Sequence, residues 1–461
     1  MTVAQKQVTI KKGQRFPLTI KRLGIDGEGV GFFKKQVVFV DGALPGEEVV
    51  CETVSVSSKF ARAKLVKIRK SSPDRQKAPC PVYDRCGGCQ LQHLSYEAQL
   101  REKQDLVRQS FERYTSIKTA SLLKETIGME HPWRYRNKGQ MQAGMLNGHV
   151  IAGLYEKHSN RLLNIDACIV QHETIDHVTN EVKEAAEACG ISIYHPKKHK
   201  GFLRTIVTRQ GFHTNETQLV LVTASETFPE KEAFLSEIRS RLPNLTSIMQ
   251  NINEKKTPLV FGEKTIPLAG ETSIRETLSG NVFELSARAF FQLNPSQTIA
   301  LYTEAIRAAN LTGSENVVDA YCGTGTIGIW AAGQAHEVRG MDTVQDAISD
   351  AEHNACLNGL SNLSFETGRA EDVLPAWEND GWKADVIIVD PPRTGLADSL
   401  LKTLTKIKPK RLVYVSCNPS TLAKNAAVLA ERGGYRLESL QPVDMFPHTA
   451  QVETVASFVQ S

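Results

Sequence analysis

A single cysteine, Cys417 in SCNP, ends the apolar run RLVYVS, and the stretch DMFPHTAQVETV further on offers Asp444, His448 and Glu453. An apolar run of this kind reads as a strand, and open α/β sheets bind ligands at the carboxyl ends of their strands. A helix beginning just after Pro419 would lower the thiol pKa and favour the thiolate, the nucleophilic form. An isolated cysteine is more often a buried filler. Its place at a strand end argues instead for a nucleophile, with a carboxylate or histidine nearby as the base.

A second constellation lies upstream. NVVDAYCGTGTIGIW holds Gly323, Gly325 and Gly328 as G-x-G-x-x-G between a strand and a helix, and Asp342 closes the next strand, EVRGMD. Glycines allow the tight turn and the close approach of a ligand, and the carboxylate can accept ribose hydroxyls. Both NAD and S-adenosylmethionine fit. ADVIIVDPPRTGL separates them, because Asp390-Pro391-Pro392 sets a rigid acidic loop over the crevice, which a dehydrogenase does not need. Arg393 stands where amino-group methyltransferases carry a stacking aromatic, which argues against an amino acceptor. A thiolate beside a methyl donor suits carbon 5 of uracil. Addition of the thiolate at carbon 6 makes carbon 5 nucleophilic, and a base then removes the carbon-5 proton.

The nine cysteines are odd in number, so a disulfide framework fits poorly. Cys80, Cys86 and Cys89 form C-x5-C-x2-C around Gly87 and Gly88, with Cys168 in NIDACIVQ as a fourth candidate ligand. Zinc and an iron–sulfur cubane can both take four cysteines, and spacing leaves both open. Cys51, Cys189, Cys322 and Cys356 receive no role.

These groups need elements to position them. The 461 residues allow two to four domains, and 41% hydrophobic with 23% charged residues is ordinary for a globular chain. No apolar stretch is long enough for a membrane helix and the first residues lack a signal-peptide core, so the cytoplasm is the expected compartment. From residue 7 to 68, short β-rich runs broken by Gly, Pro and Asp suit a small OB-like or SH3-like barrel. A helix is expected from Ser95 through Tyr114, with Tyr96, Leu100, Val107, Phe111 and Tyr114 near one face as packing residues. Residues 130–285 read as β-rich. From about 296, NVVDAY, EVRGMD, NLSFET, ADVIIVD and RLVYVS alternate with helical segments, as in a doubly wound parallel sheet. The net charge of +4 hides basic blocks. From Lys59 to Lys77 there are eight Lys or Arg against one Asp, and residues 195–209 carry no carboxylate. Such blocks suit phosphate-tracking surfaces. HPWRYRNK adds Trp133, Arg134, Arg136 and Lys138 as candidate RNA contacts.

At DAYCGTGTIG, DPPRTGL, SCNPSTLAKN, MFPHTAQVET and FFQLNPSQ the chain resembles the RNA uracil-5-methyltransferase family, most of all its 23S rRNA 5-methyluridine enzymes. GEGVGFFKKQVVFVDGALPGEEV resembles a TRAM domain. The resemblance implies three domains: a TRAM barrel (1–70), a central domain with the cysteines and an RNA surface (71–285), and a Rossmann-like catalytic domain (286–461). It implies Cys417 as nucleophile and Glu453 as base. Gln292, Tyr321, Asp342 and Asp390 would contact S-adenosylmethionine or the uracil. Cys80, Cys86, Cys89 and Cys168 would hold a 4Fe-4S cluster. The implied substrate is a 23S rRNA loop with a flipped uridine, methylated at one or two sites by a monomer without an obligate protein partner. A tRNA enzyme acting on the T-loop, or an inactive RNA-binding factor, are the alternatives. Asp342 stands where the family commonly has Glu, and Gln451 where it often has His.

Overall fold

The computed structural model describes residues 10–461. The first residues of the β-rich run expected from residue 7 therefore lie outside the described part. β1 (Arg15–Leu23), β2 (Gly29–Phe33), β3 (Gln36–Asp41), β4 (Glu48–Val56) and β5 (Phe60–Lys70) close into a barrel in the order β1-β2-β3-β5-β4. β1 shows why: Phe16, Leu18 and Ile20 alternate with exposed residues, so one face fills the barrel.

The chain then crosses the cysteine-bearing segment to α1 (Tyr96–Tyr114). Val107 and Phe111 are fully buried, and they join the core of the C-terminal sheet rather than the central one. The following residues run beside that sheet too, with Leu123 bridging Leu440 and Ile127 bridging Val443.

The central sheet is built from β6 (Lys138–Leu146), β7 (His149–Tyr155), β8 (Leu162–Asn164), β9 (Leu203–Gln210), β10 (Thr217–Thr223), β11 (Ser247–Ile252) and β12 (Lys264–Gly270), in the order β12-β11-β10-β9-β6-β7-β8. Helices α2 (Glu173–Ala188) and α3 (Lys231–Arg241) pack on it through Val178, Val182, Phe234 and Ile238. A hairpin of β13 (Ser273–Leu278) and β14 (Asn281–Ser286) leads to the C-terminal unit.

There α4 (Pro295–Ala309) precedes β15 (Asn316–Ala320), α5 (Thr326–Ala332), β16 (Glu337–Asp342), α6 (Gln345–Leu357), β17 (Leu363–Thr367), α7 (Ala370–Asn379), β18 (Val386–Val389), α8 (Asp398–Ile407), β19 (Arg411–Ser416), α9 (Pro419–Gly433), β20 (Tyr435–Val443) and β21 (Glu453–Gln460). The strand order is β17-β16-β15-β18-β19-β21-β20. β15 to β19 are parallel and β21 runs antiparallel to β19. β18 and most of β19 are buried throughout, because helices cover both faces of a parallel sheet. All five expected strands form. Strand order reverses between β15 and β18, which opens a crevice at their carboxyl ends. Among the described residues no helix is long and apolar enough to cross a membrane.

Candidate active site

The crevice begins where β15 ends. Tyr321 (φ 67°), Gly323 (φ 54°) and Gly325 (φ 79°) all take left-handed backbone. A side chain at Gly325 would strike the Phe365 ring at 2.7 Å, whereas one at Gly323 would meet nothing within 4 Å. Gly325 is thus required by packing, and Gly323 leaves bare backbone facing open space. A non-glycine residue held in this conformation is strained, and such strain gathers at functional sites. Asp342, at the end of β16, accepts from the Gly323 N–H at 3.1 Å and the Val344 N–H at 3.0 Å. Its carboxylate is fixed at the rim of the loop, ready for ribose hydroxyls. These residues fit an adenosine-type ligand such as S-adenosylmethionine.

Sequence reasoning missed Asp319. One oxygen of this buried carboxyl accepts the Gly328 N–H at 2.7 Å, and the other has no partner. Burial, with Asp390 and Asp342 as nearby charges, pushes it up to about 8. The available signal was its place four residues before Gly323, at the end of an apolar strand.

The catalytic candidates meet through strand register. Ser416 pairs with Thr454 across β19 and β21, so Cys417, one step beyond, faces Glu453. Val389 pairs with Tyr414, which places Asp390 at the same edge. The Asp390 N–H points to the Ala320 carbonyl at 3.4 Å, beside Tyr321. Glu453 is 6% exposed. Burial, reinforced by the Asp390 charge, pushes Glu453 up to about 8, and burial pushes Asp390 up to about 7.

Cys417 corrects an expectation. Burial, then the charges of Glu453 and Asp390, push its thiol up to about 11 rather than down. Two features remove the helix benefit. Pro419 has no N–H to offer, and the Ser420 N–H is taken by the Asn418 side chain at 3.1 Å. Arg393 favours the thiolate but is outweighed. In the free protein these surroundings favour the thiol over the thiolate.

Cys417 opens onto a cleft of about 1000 Å³ walled by the barrel, α1 and the sheet edge. Lys21, Arg22 and Phe39 line it from the barrel, Arg108 and Arg113 from α1, and Arg393 and Gln451 from the sheet edge. The block from Lys59 to Lys77 does not line it. Arg62 instead lies 5.6 Å over the Phe39 ring, while Lys64 and Arg75 pair with Glu52 and Glu47. The basic stretch 195–209 likewise stays outside.

Two candidate bases are withdrawn. Asp444 is fully buried, paired with Lys103 and accepting from Tyr96 Oη at 2.9 Å. His448 is 1% exposed and stacks on Trp133 at 3.6 Å between ring centroids; burial pushes it down to about 3. Neither lines the cleft. Gln292 is buried in the loop before α4, where the Asn137 side chain donates to its carbonyl at 3.0 Å.

HPWRYRNK is partly exposed, with several of its polar groups engaged inside the protein. Trp133 is spent on His448. Arg134 donates to the Cys168 carbonyl at 2.9 Å and to Asp176 at 2.8 Å. Arg136 lines the same cavity as the cysteines, and its Nε has no partner. Lys138 is half-buried at the start of β6.

Cys80, Cys86, Cys89 and Cys168 all line one small cavity. None of the four is in a disulfide. Among the described residues no three His, Cys, Asp or Glu side chains are arranged around one metal ion. That arrangement gives no support to a metal here.

With this geometry in hand, comparison with known proteins is direct. The family model described as tRNA (Uracil-5-)-methyltransferase matches residues 263–459, and that of the TRAM domain matches residues 10–66. An uncharacterized RNA methyltransferase of Halalkalibacterium halodurans is 56% identical over 460 residues, covering 100% of this chain and 99% of that one. One from Listeria monocytogenes is 55% identical over 451 residues, covering 97% and 98%. Among solved structures, the Pyrococcus abyssi tRNA (uracil-54, C5)-methyltransferase bound to S-adenosyl-L-homocysteine superposes with a TM-score of 0.78 at 30% identity. It covers 97% of this chain and 100% of that one. The chain belongs to the RNA uracil-5-methyltransferase family.

Proposed function

We propose that this protein methylates carbon 5 of a uridine in RNA, using S-adenosylmethionine and a covalent bond through Cys417. The register that faces Cys417 with Glu453, beside Asp390 and the glycine loop, carries the reading. Asp342 and the Gly323 backbone would hold the adenosine, with Gln292, Tyr321 and Asp390 along the methyl-donor and uracil path. S-adenosylmethionine supplies an electrophilic methyl group.

Cys417 and Glu453 must first release their protons to solvent through the cleft, and a cationic methyl donor beside them would favour both ionisations. The thiolate forms a bond to uracil carbon 6, which places negative charge on carbon 5 and the adjacent carbonyl. Carbon 5 takes the methyl group, and the sulfonium carbon–sulfur bond breaks to leave S-adenosylhomocysteine. Glu453 removes the carbon-5 proton, the electron pair re-forms the ring double bond, and the Cys417 bond breaks.

For the RNA target, 23S rRNA is the first reading and the tRNA T-loop the second. The barrel does not decide between them. The Pyrococcus abyssi structure is named as a tRNA enzyme yet covers 97% of this chain, barrel included. The cleft's Lys21, Arg22, Arg108, Arg113 and Arg393 suit either backbone. The cysteine set is proposed as ligands of a 4Fe-4S cluster, because a cubane takes one ligand at each of four corners rather than four at a point. The buried Arg136 guanidinium beside them would offset cluster charge. The reading includes a monomer in the cytoplasm. Purified protein incubated with labelled S-adenosylmethionine and either unmodified 23S rRNA or unmodified tRNA should form 5-methyluridine in one of them. No label at carbon 5 in either would overturn it. Iron and sulfide should be present after anaerobic purification, and their absence would remove the cluster.

A further inference from the structure

The central sheet carries two neighbouring cationic side chains, neither of which makes a salt bridge among the described residues. Lys138 on β6 is the register partner of Arg209 on β9, so both side chains leave the same face of the sheet. Like charges directly opposite on neighbouring strands are destabilising. Arg209 is only 3% exposed. Its Nη2 donates to the Ala289 carbonyl at 2.6 Å, and its Nη1 is buried without a partner. Lys138 has no salt bridge or side-chain hydrogen bond among the described residues. Burial and then the Arg209 charge push its ammonium down to about 7. The nearest opposing charge on Arg209 is Asp350, which is engaged by Ser286 Oγ at 2.9 Å.

A bound water could bridge Arg209 Nη1 to the orphaned Oε1 of Gln218, its partner on β10. Water would satisfy those hydrogen bonds but would leave Lys138 with a weakened hold on its proton beside Arg209. An anion resolves both. The pair also sits beside the site. Asn137, next to Lys138, donates its N–H to the Leu293 carbonyl at 2.9 Å and its side-chain amide to the Gln292 carbonyl at 3.0 Å. The same loop carries Phe290, an aromatic ring 66% exposed, next to the Ala289 that Arg209 holds. Phosphate oxygens on cations with an exposed ring alongside is the pattern by which unstacked nucleotides are held.

We propose that Lys138 and Arg209 form a binding subsite for an RNA backbone phosphodiester close to the target uridine. The subsite rests on the reading of this protein as an RNA methyltransferase. Because the pair is carried by the central sheet, that sheet takes part in holding substrate as well as supporting the cysteine segment.

The test compares wild type with Lys138→Met, which keeps length but loses charge, and Lys138→Arg, which keeps charge. Arg209→Lys serves as a second probe, since loss of a buried guanidinium could unfold the sheet. Affinity for the RNA that wild type methylates is measured from low to high KCl, together with affinity for S-adenosylmethionine. Lys138→Met should bind that RNA roughly tenfold more weakly at low salt, with the slope of log affinity against log salt reduced by about 0.7. Lys138→Arg should restore both, and S-adenosylmethionine affinity should stay unchanged. An unchanged RNA affinity and slope would overturn the subsite. So would weakening confined to S-adenosylmethionine, which would mean that the pair binds the donor's carboxylate. If wild type methylates neither 23S rRNA nor tRNA, the functional reading itself fails, a result distinct from either of these.

Discussion

Asp444 and Glu453 lie nine positions apart in one stretch of chain, both buried against the same sheet, and they have opposite fates. Asp444 is met by Lys103, by Tyr96 Oη at 2.9 Å and by a network that also ties Lys103 to the Phe446 carbonyl at 3.1 Å. The Glu453 carboxyl has no hydrogen-bond partner among the described residues, and a second carboxyl, a thiol and the Arg393 charge are its neighbours. A buried charge with every partner in place holds structure together. A buried carboxyl left without one holds its proton too tightly and can exchange it with a ligand. The difference fits Asp444 as a positioning group for the loop that leads to Glu453, and supports the proposal that Glu453 is the base.

The comparison can be broken most severely by exchanging the effects. Glu453→Gln should lower turnover by about 100- to 10,000-fold, measured as 5-methyluridine formed, while the fold persists. It should also raise the melting temperature at pH 8 and above. The folded pKa of Glu453, about 8, lies above its ordinary 4.5. Folding therefore favours its proton, and stability falls as pH rises between those values. Glutamine cannot ionise and escapes that loss.

Asp444→Asn should do the reverse. It strands the buried Lys103 charge and should cost about 3–5 kcal/mol of stability, seen in urea unfolding, and Lys103→Met in the same chain should recover much of it. Equal destabilisation by Asp444→Asn and Glu453→Gln would erase the distinction.

Gly323→Ala carries a smaller effect. The left-handed backbone makes any side chain cost about 1–2 kcal/mol, and the methyl group enters space that the bound adenosine would use. Affinity for S-adenosylmethionine should drop at least severalfold by calorimetry, with RNA affinity unaltered. Least in size, Cys417 alkylation by iodoacetamide at pH 9 should be faster in Glu453→Gln than in wild type, since a nearby negative charge no longer opposes the thiolate.

The sequence patterns carried the C-terminal sheet well, and physics explains why. Strands buried on both faces must be apolar runs, and a tight turn against a ligand must be glycine, so NVVDAYCGTG and ADVIIVDPP are readable without a partner. What failed depends on contacts between distant segments. The stripe on α1 marked a packed helix but could not say that Val107 and Phe111 join the C-terminal core. Nor could Arg134 be seen to bond the Cys168 carbonyl and Asp176, because that follows from where residues 168–176 fold back. The thiol of Cys417 was expected to be lowered by its helix. The opposing carboxyls come from two other strands, and only the register of β19 with β21 brings Glu453 to it. The same register singles out Glu453 from Asp444 and His448.

The central claim is a covalent bond between Cys417 and uracil carbon 6. RNA carrying 5-fluorouridine tests it, because fluorine leaves Glu453 no proton to remove and the bond cannot break by the normal route. Incubation with S-adenosylmethionine, digestion and mass spectrometry should find a methylated 5-fluorouridine fragment attached to Cys417, and no such adduct in Cys417→Ala. Full methylation of ordinary RNA by Cys417→Ala, or methylated 5-fluorouridine with Cys417 unmodified, would contradict the account.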